Sequence, residues 1–295
     1  MDIIPKPRSK DPRVYQILFL GILLLSGALL RDFSIGFPQV LLTFAAGLAT
    51  QGLFLRLLKI PQAGYLSALV TCLGVATLLR ADNLWVHPLA VFLALSAKFL
   101  LRVRGKHVYN PTNLAVMLGL TLLPGAWASA GQWGNDMALA AWILTLGGTV
   151  VNRAGTRDIS WTFLGFYFLL LSARVLYLGQ PASVLLHALE TGSLIHFAFF
   201  MISDPVTSPN HRAAKVLHCL LVAAGAFLWQ YGLYRVNGLY WALFAATTLV
   251  PLWDLLLPGP KYQWKKEKED GKVQERQKNV GGGLVPAPLG GITPR

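Results

Sequence analysis

Residues 36–59 read GFPQVLLTFAAGLATQGLFLRLLK, and no charged side chain occurs between Gly36 and Leu55. Wound as a helix rising about 1.5 Å per residue, that charge-free stretch is about 30 Å long, the thickness of a bilayer's hydrocarbon core. The run then closes on Arg56 and Lys59. A long apolar cylinder with cations at one rim fits a helix that crosses lipid and ends on the cytoplasmic side, where Lys and Arg accumulate.

Outward from this stretch the pattern recurs. Nine further runs lie at about 14–30, 63–79, 84–101, 113–127, 134–151, 160–178, 183–203, 213–230 and 237–255. Composition agrees: 54% of the 295 residues are hydrophobic and 13% are charged, about half the charge that an ordinary soluble domain carries. The fifth run is short and stops at Pro124-Gly125. The expected fold is therefore all-α and integral to the membrane, with about ten transmembrane helices over residues 14–258. A cytoplasmic segment, 1–13, precedes them. The tail, 259–295, mixes charge with Gly and Pro and is expected to be a disordered basic extension. The first run exceeds the apolar core of a cleavable signal peptide and lacks a small-x-small site after it.

Charge placement tests this division. With the N-terminus inside and the helices alternating, all 26 Lys and Arg fall on the inside except Arg31, Arg80, Arg174 and Arg235. Both termini are thus expected in the cytoplasm, and the chain in an inner (plasma) membrane. Topology also accounts for the net charge of +13 without nucleic acid, because the basic residues form no stripe interleaved with aromatic ones. Cys72 and Cys219 stand far apart within apolar runs and offer no metal-ligand spacing, so both are expected to be packing residues. Trp85, Trp127, Trp133, Trp161 and Trp253 sit near helix ends, as interfacial belts require. No nucleotide loop, nucleophile elbow or HExxH motif is present.

Two polar segments interrupt the apolar runs: His107-Val108-Tyr109-Asn110-Pro111-Thr112-Asn113 and Ser203-Asp204-Pro205-Val206-Thr207-Ser208-Pro209-Asn210. Proline disfavours helix in the residue before it and suits the first turn after it, while Asn, Asp, Ser and Thr cap exposed N–H groups. Both segments read as helix ends turned to the cytoplasmic face. Two readings stay open: ordinary capped loops, or the lining of a polar pocket such as discontinuous helices build. In the second, Asn110 and Asn113 share a helix face, and their amides suit both donors and acceptors of a flat heterocycle. Elsewhere, His187 and Glu190 stand three apart in the eighth run, a spacing that suits a local hydrogen-bonded pair or a proton path. His196 is expected in the core or an interface. Asp254 is expected to cap a helix or pair with a basic loop.

At these segments the sequence resembles the NqrB/RnfD family, which comprises the NqrB membrane component of sodium-translocating NADH:quinone reductase and the RnfD component of the Rnf electron-transport complex. The matching stretches are Asn110-Pro111-Thr112-Asn113 after a basic loop, GSLIHFAFFMISDPVTSPN over 192–210, and Val250-Pro251-Leu252-Trp253-Asp254; the loop around Arg153, Arg157 and Asp158 is similar too. The resemblance covers roughly residues 98–258, and FFMISDPVTSP is its most specific part. It implies two inverted five-helix repeats and electron transfer between flavins coupled to ion movement. It also implies a non-covalent flavin (riboflavin or FMN) near the first motif, with Asn110 and Asn113 facing the ring and Asp204, Thr207 and Ser208 as further polar candidates. The family's covalent FMN sits on the threonine of an SGAT motif, which this chain lacks, so no covalent flavin is expected. Partners implied are other membrane and soluble redox subunits, besides the lipid bilayer. Two other functions stay open on this scaffold: a channel or transporter for a small solute, and a membrane anchor for a soluble redox enzyme.

Overall fold

A computed structural model describes residues 11–30, 35–60, 64–128 and 137–264. Each of the ten apolar runs carries a helix or a bent pair of helices. In the first half these are α1 (Pro12–Leu30), α2 (Phe37–Leu57), α3 (Leu66–Leu78), α4 (Val86–Leu100) and α5 (Pro111–Leu122). In the second they are α6 (Met137–Ala154), α7 (Arg157–Tyr177), α8 (Ala182–Leu189) with α9 (Gly192–His196), α10 (Arg212–Phe227), and α11 (Gly238–Thr248) with α12 (Val250–Leu256). π-helical turns extend α9 through Phe197–Met201 and α10 through Leu228–Gly232.

Among the described residues, five helices are long and apolar enough to cross a membrane, and up to seven if each bent pair is one span. The bends are 48° between α8 and the α9 segment and 41° between α11 and α12. The chain is thus a helical protein with several membrane-spanning candidates. α3, α4 and α5 are shorter than the runs that contain them, for a visible reason in two of the three. The backbone leaves the helix at Leu79 and again beyond Leu122, and the extended pieces β1 (Leu79–Ala81) and β4 (Ala126–Ala128) pair antiparallel. Backbone that leaves a helix in a dry setting must find partners, and here each break supplies the other's. Further carbonyls at this end are met by side chains. Arg80, 2% exposed, donates to the carbonyls of Ala76, Thr77 and Leu79. His87 meets the Leu79 carbonyl at 2.9 Å, and the Gln39 amide donates to Ala81.

Packing in one half recurs in the other. α1 lies on α3, α2 on α4 and α4 on α5; correspondingly α6 lies on α9 and its π-helical turn, α7 on α10, and α10 on α11. α1 also meets α6, and α5 meets α11, across the two halves. Glycine makes the closest approaches possible. A Cβ on Gly147 of α6 would stand 2.5 Å from that of Phe199, and one on Gly74 of α3 would be 2.6 Å from the Thr112 methyl.

Cys72 and Cys219 are buried free thiols, and His196 is buried with its ring stacked on Phe200 at 5.2 Å. Trp85, Trp127 and Trp161 are exposed, as belt residues would be; Trp133 lies outside the described residues. Residues 12–260 make one compact unit. The tail beyond Trp264 and the first ten residues lie outside the described part.

Candidate functional site

Between α4 and α5 the chain forms a tight hairpin. β2 (Arg102–Val103) pairs with β3 (Lys106–His107), joined by Arg104 and Gly105, both with positive φ (52° and 83°). That is the backbone of a two-residue type I′ turn, whose twist matches the strands it joins. Glycine takes this conformation freely, whereas Arg104 bears some strain. The register sets Val103 against Lys106 and Arg102 against His107, so these two pairs point to opposite faces.

Lys106 reaches into the second half. Its Nζ donates to Asp254 Oδ2 at 2.8 Å, to the Ser208 carbonyl at 2.8 Å and to Asn210 Oδ1 at 3.2 Å. The other Asp254 oxygen accepts the Asn210 N–H at 2.8 Å, and Arg104 donates to the Asp254 carbonyl. The Lys106 and Asp254 side chains are 13% and 9% exposed. A pair this dry is held by its extra hydrogen bonds as much as by its charges.

A few residues on, Asn110 caps α5, its Oδ1 accepting the Asn113 N–H at 3.1 Å. Its Nδ2 donates to Asp204 Oδ2 at 3.2 Å and to the Met201 carbonyl at 3.4 Å. That carbonyl ends the π-helical turn Phe197–Met201, and such turns displace backbone acceptors from the α pattern. Asn113 lies deeper, donating through Nδ2 to the Tyr240 carbonyl of α11 at 3.2 Å. Its Oδ1 is buried and has no hydrogen-bond partner in the described structure. Trp253 Nε1, beside Asp254, is likewise a buried donor with none.

Asp204 is wrapped by its own loop. Val206 N–H donates to Oδ1 at 3.0 Å and Thr207 adds a side-chain hydrogen bond, while the Ser208 hydroxyl donates to the Asp204 carbonyl at 2.7 Å. Burial pushes its carboxyl above the ordinary carboxylate range, against the pull of these donors and of the Lys106 and Lys98 charges.

Five of the seven residues singled out from sequence therefore come together: Asn110, Asn113, Asp204, Thr207 and Ser208. His187 and Glu190 stand apart, at the end of α8 where the broken span bends. Both Asn110 polar atoms are engaged by protein partners, which makes this residue a clasp, whereas Asn113 keeps one acceptor in reserve. Sequence reasoning missed Lys106 and Asn210, whereas Asp254 pairs with a basic loop as expected. The missed signal was an Arg-Gly turn flanked by alternating basic residues, which announces a hairpin that can carry one cation inward. No protein-family model and no curated protein matches the chain.

Proposed function

We propose that the chain is a membrane electron-transfer subunit of NqrB/RnfD type, working with other membrane and soluble redox subunits. One observation carries this reading. The three stretches on which the resemblance rests are separated by up to about 140 residues, yet they interlock through Lys106, Asn110, Asp204 and Asp254. Residues so distant have no local reason to match one another; a shared site supplies one.

In this reading the fold is two inverted five-helix repeats, ten spans in all, in an inner (plasma) membrane with both termini cytoplasmic. Support comes from the recurring helix pairings and from the breaks, which fall in the third and fifth element of each half. Two of the short elements, α3 and α5, are also long enough once their extended pieces are added. α3 with β1 reaches about 30 Å, counting about 1.5 Å per helical and about 3.3 Å per strand residue. An odd number of helices per repeat then inverts the second relative to the first.

A non-covalent flavin fits this end of the bundle through Asn113 Oδ1, the buried acceptor without a partner, which would receive a ring N–H. Trp253 Nε1 offers a matching donor, and Tyr109, stacked on Phe244 with centroids 4.9 Å apart, offers an aromatic face. The flavin would supply one- and two-electron chemistry at a potential set by its surroundings. Asn110 would hold the α5 terminus and the Asp204 loop in place, and Lys106–Asp254 would fix the hairpin that covers them.

Flavin content of the detergent-solubilised protein is the test. The expected result is a yellow protein that releases about one flavin per chain on denaturation, with retention lost in Asn113→Leu. A colourless protein that conducts a solute in liposomes would overturn the reading in favour of a channel. A colourless, non-conducting protein that co-purifies with a soluble oxidoreductase would leave it as an anchor.

A further inference from the structure

The face of the hairpin opposite Lys106 has no role in the cluster above. It presents Arg102 and His107, directly paired across the two strands, with Cβ atoms about 5 Å apart in such a register. β3 packs on α4, and Lys98, near the end of α4, is close enough for its charge to act on His107 and to feel that of Arg102. Among the described residues, Lys98 Nζ has neutral partners only, the Ser67 hydroxyl and Gln51 Oε1 at 3.3 Å. Arg102 donates once, to the Gly105 carbonyl at 2.6 Å, leaving the remaining guanidinium N–H groups open. The half-buried His107 ring makes no hydrogen bond within the described structure.

Charge here is out of balance. Asp254 is held by Lys106 and Asn210; Asp204, the carboxylate whose charge acts on Lys98, is also bonded by Asn110, Val206 and Thr207, and Arg13 adds a further cation near Lys98. A half-buried ammonium with neutral acceptors, a guanidinium with open donors and an imidazole thus share one corner at the rim of the bundle.

We propose that Lys98, Arg102 and His107 form a binding site for a phosphate group, borne either by an anionic lipid headgroup or by a soluble phosphate monoester. A tetrahedral oxyanion accepts from several donors at once. Arg supplies a planar fork for two of its oxygens and Lys a point charge for a third. His107 reports occupancy. Burial, with Lys98, Arg102 and Lys106 close by, holds its imidazole down to about 3 and hence neutral; a bound phosphate anion would offset those cations and let it take a proton. The site is independent of flavin binding and stands or falls separately from it.

The test follows the His107 imidazole by NMR titration of the full-length protein in nanodiscs, its signal assigned by its loss in His107→Gln. In phosphatidylcholine discs, adding inorganic phosphate at matched ionic strength should raise its midpoint by about one to three pH units, if the natural ligand is soluble. If it is a lipid, the same rise should appear only in discs containing phosphatidic acid. In either case Arg102→Gln, an exposed position that leaves the core intact, should abolish the anion-dependent part of the shift, as should Lys98→Gln. No shift with either anion, or a shift that persists in Arg102→Gln, overturns the proposal.

Discussion

At the residue scale, the Lys106–Asp254 pair shows how a charge can be kept in a dry place: each partner satisfies the other, and the surrounding Asn210 and Ser208 groups absorb what is left. Removing one partner should be worse than removing both. Lys106→Ala should lower unfolding free energy by about 3–5 kcal/mol, since it strands a buried carboxylate. The double variant Lys106→Met/Asp254→Leu should lose much less; denaturant melts in detergent would read the difference. His107 gives a pH prediction. Its folded value of about 3 lies below the ordinary 6.5, so the unfolded chain binds more protons between the two. Stability from this residue is full above about 6.5 and drains as pH falls towards 3, by up to about 1.4 kcal/mol per unit. The acid limb of a stability profile should flatten in His107→Gln, and an unchanged limb would contradict the assignment.

Elements in this protein are joined by close contact at small residues and by caps at their ends. Gly147 lets α6 approach the π-helical turn that positions Met201 and Asp204. Gly147→Val should force that turn outward, costing about 1–3 kcal/mol by overpacking and weakening whatever depends on the Asn110–Asp204 contact. Gly148, one residue on, faces open space, and Gly148→Ala should be neutral or slightly stabilising through helix propensity; thermal unfolding of the two variants side by side tests this. Asn110→Ala removes the α5 cap together with the donor to Asp204. Its loss should exceed the roughly 1 kcal/mol of an ordinary N-cap, and Asn110→Ser, which restores only the cap, should recover part of it.

For the whole molecule, orientation is the prediction with the widest reach. Single cysteines at Arg104 and Arg212, on a background without Cys72 and Cys219, should react with a membrane-impermeant reagent from the cytoplasmic side of cells. Cysteines at Tyr177 and Arg235 should react from the other side. Labelling of Arg104 and Tyr177 from the same side would break the ten-span arrangement. Two of the four basic residues that depart from the charge bias have structural partners. Arg80 caps a helix end, and Arg174 sits 4.5 Å over the Tyr231 ring and bonds Gln180. The helical character and the presence of several membrane-spanning candidates were legible beforehand, because hydropathy acts on each segment separately, without knowledge of its neighbours. The end of α3 was not, since the run 63–79 stays apolar past the point where the helix stops, and only pairing between β1 and β4 makes that stop tolerable; α5, by contrast, ends at Leu122, two residues before the Pro124-Gly125 stop.

By itself, the amino-acid sequence determined that the chain is helical and apolar enough for lipid, and which of its turns are polar, because solvation and proline sterics are local properties. Only the tertiary structure decided that Asn110 is a clasp while Asn113 keeps an acceptor in reserve, and that Lys106 turns inward while Arg102 and His107 turn away from it. Those outcomes depend on which carbonyls and carboxylates from the other half arrive opposite each side chain, and hydrogen bonds across so many residues of separation leave no periodic trace in the sequence.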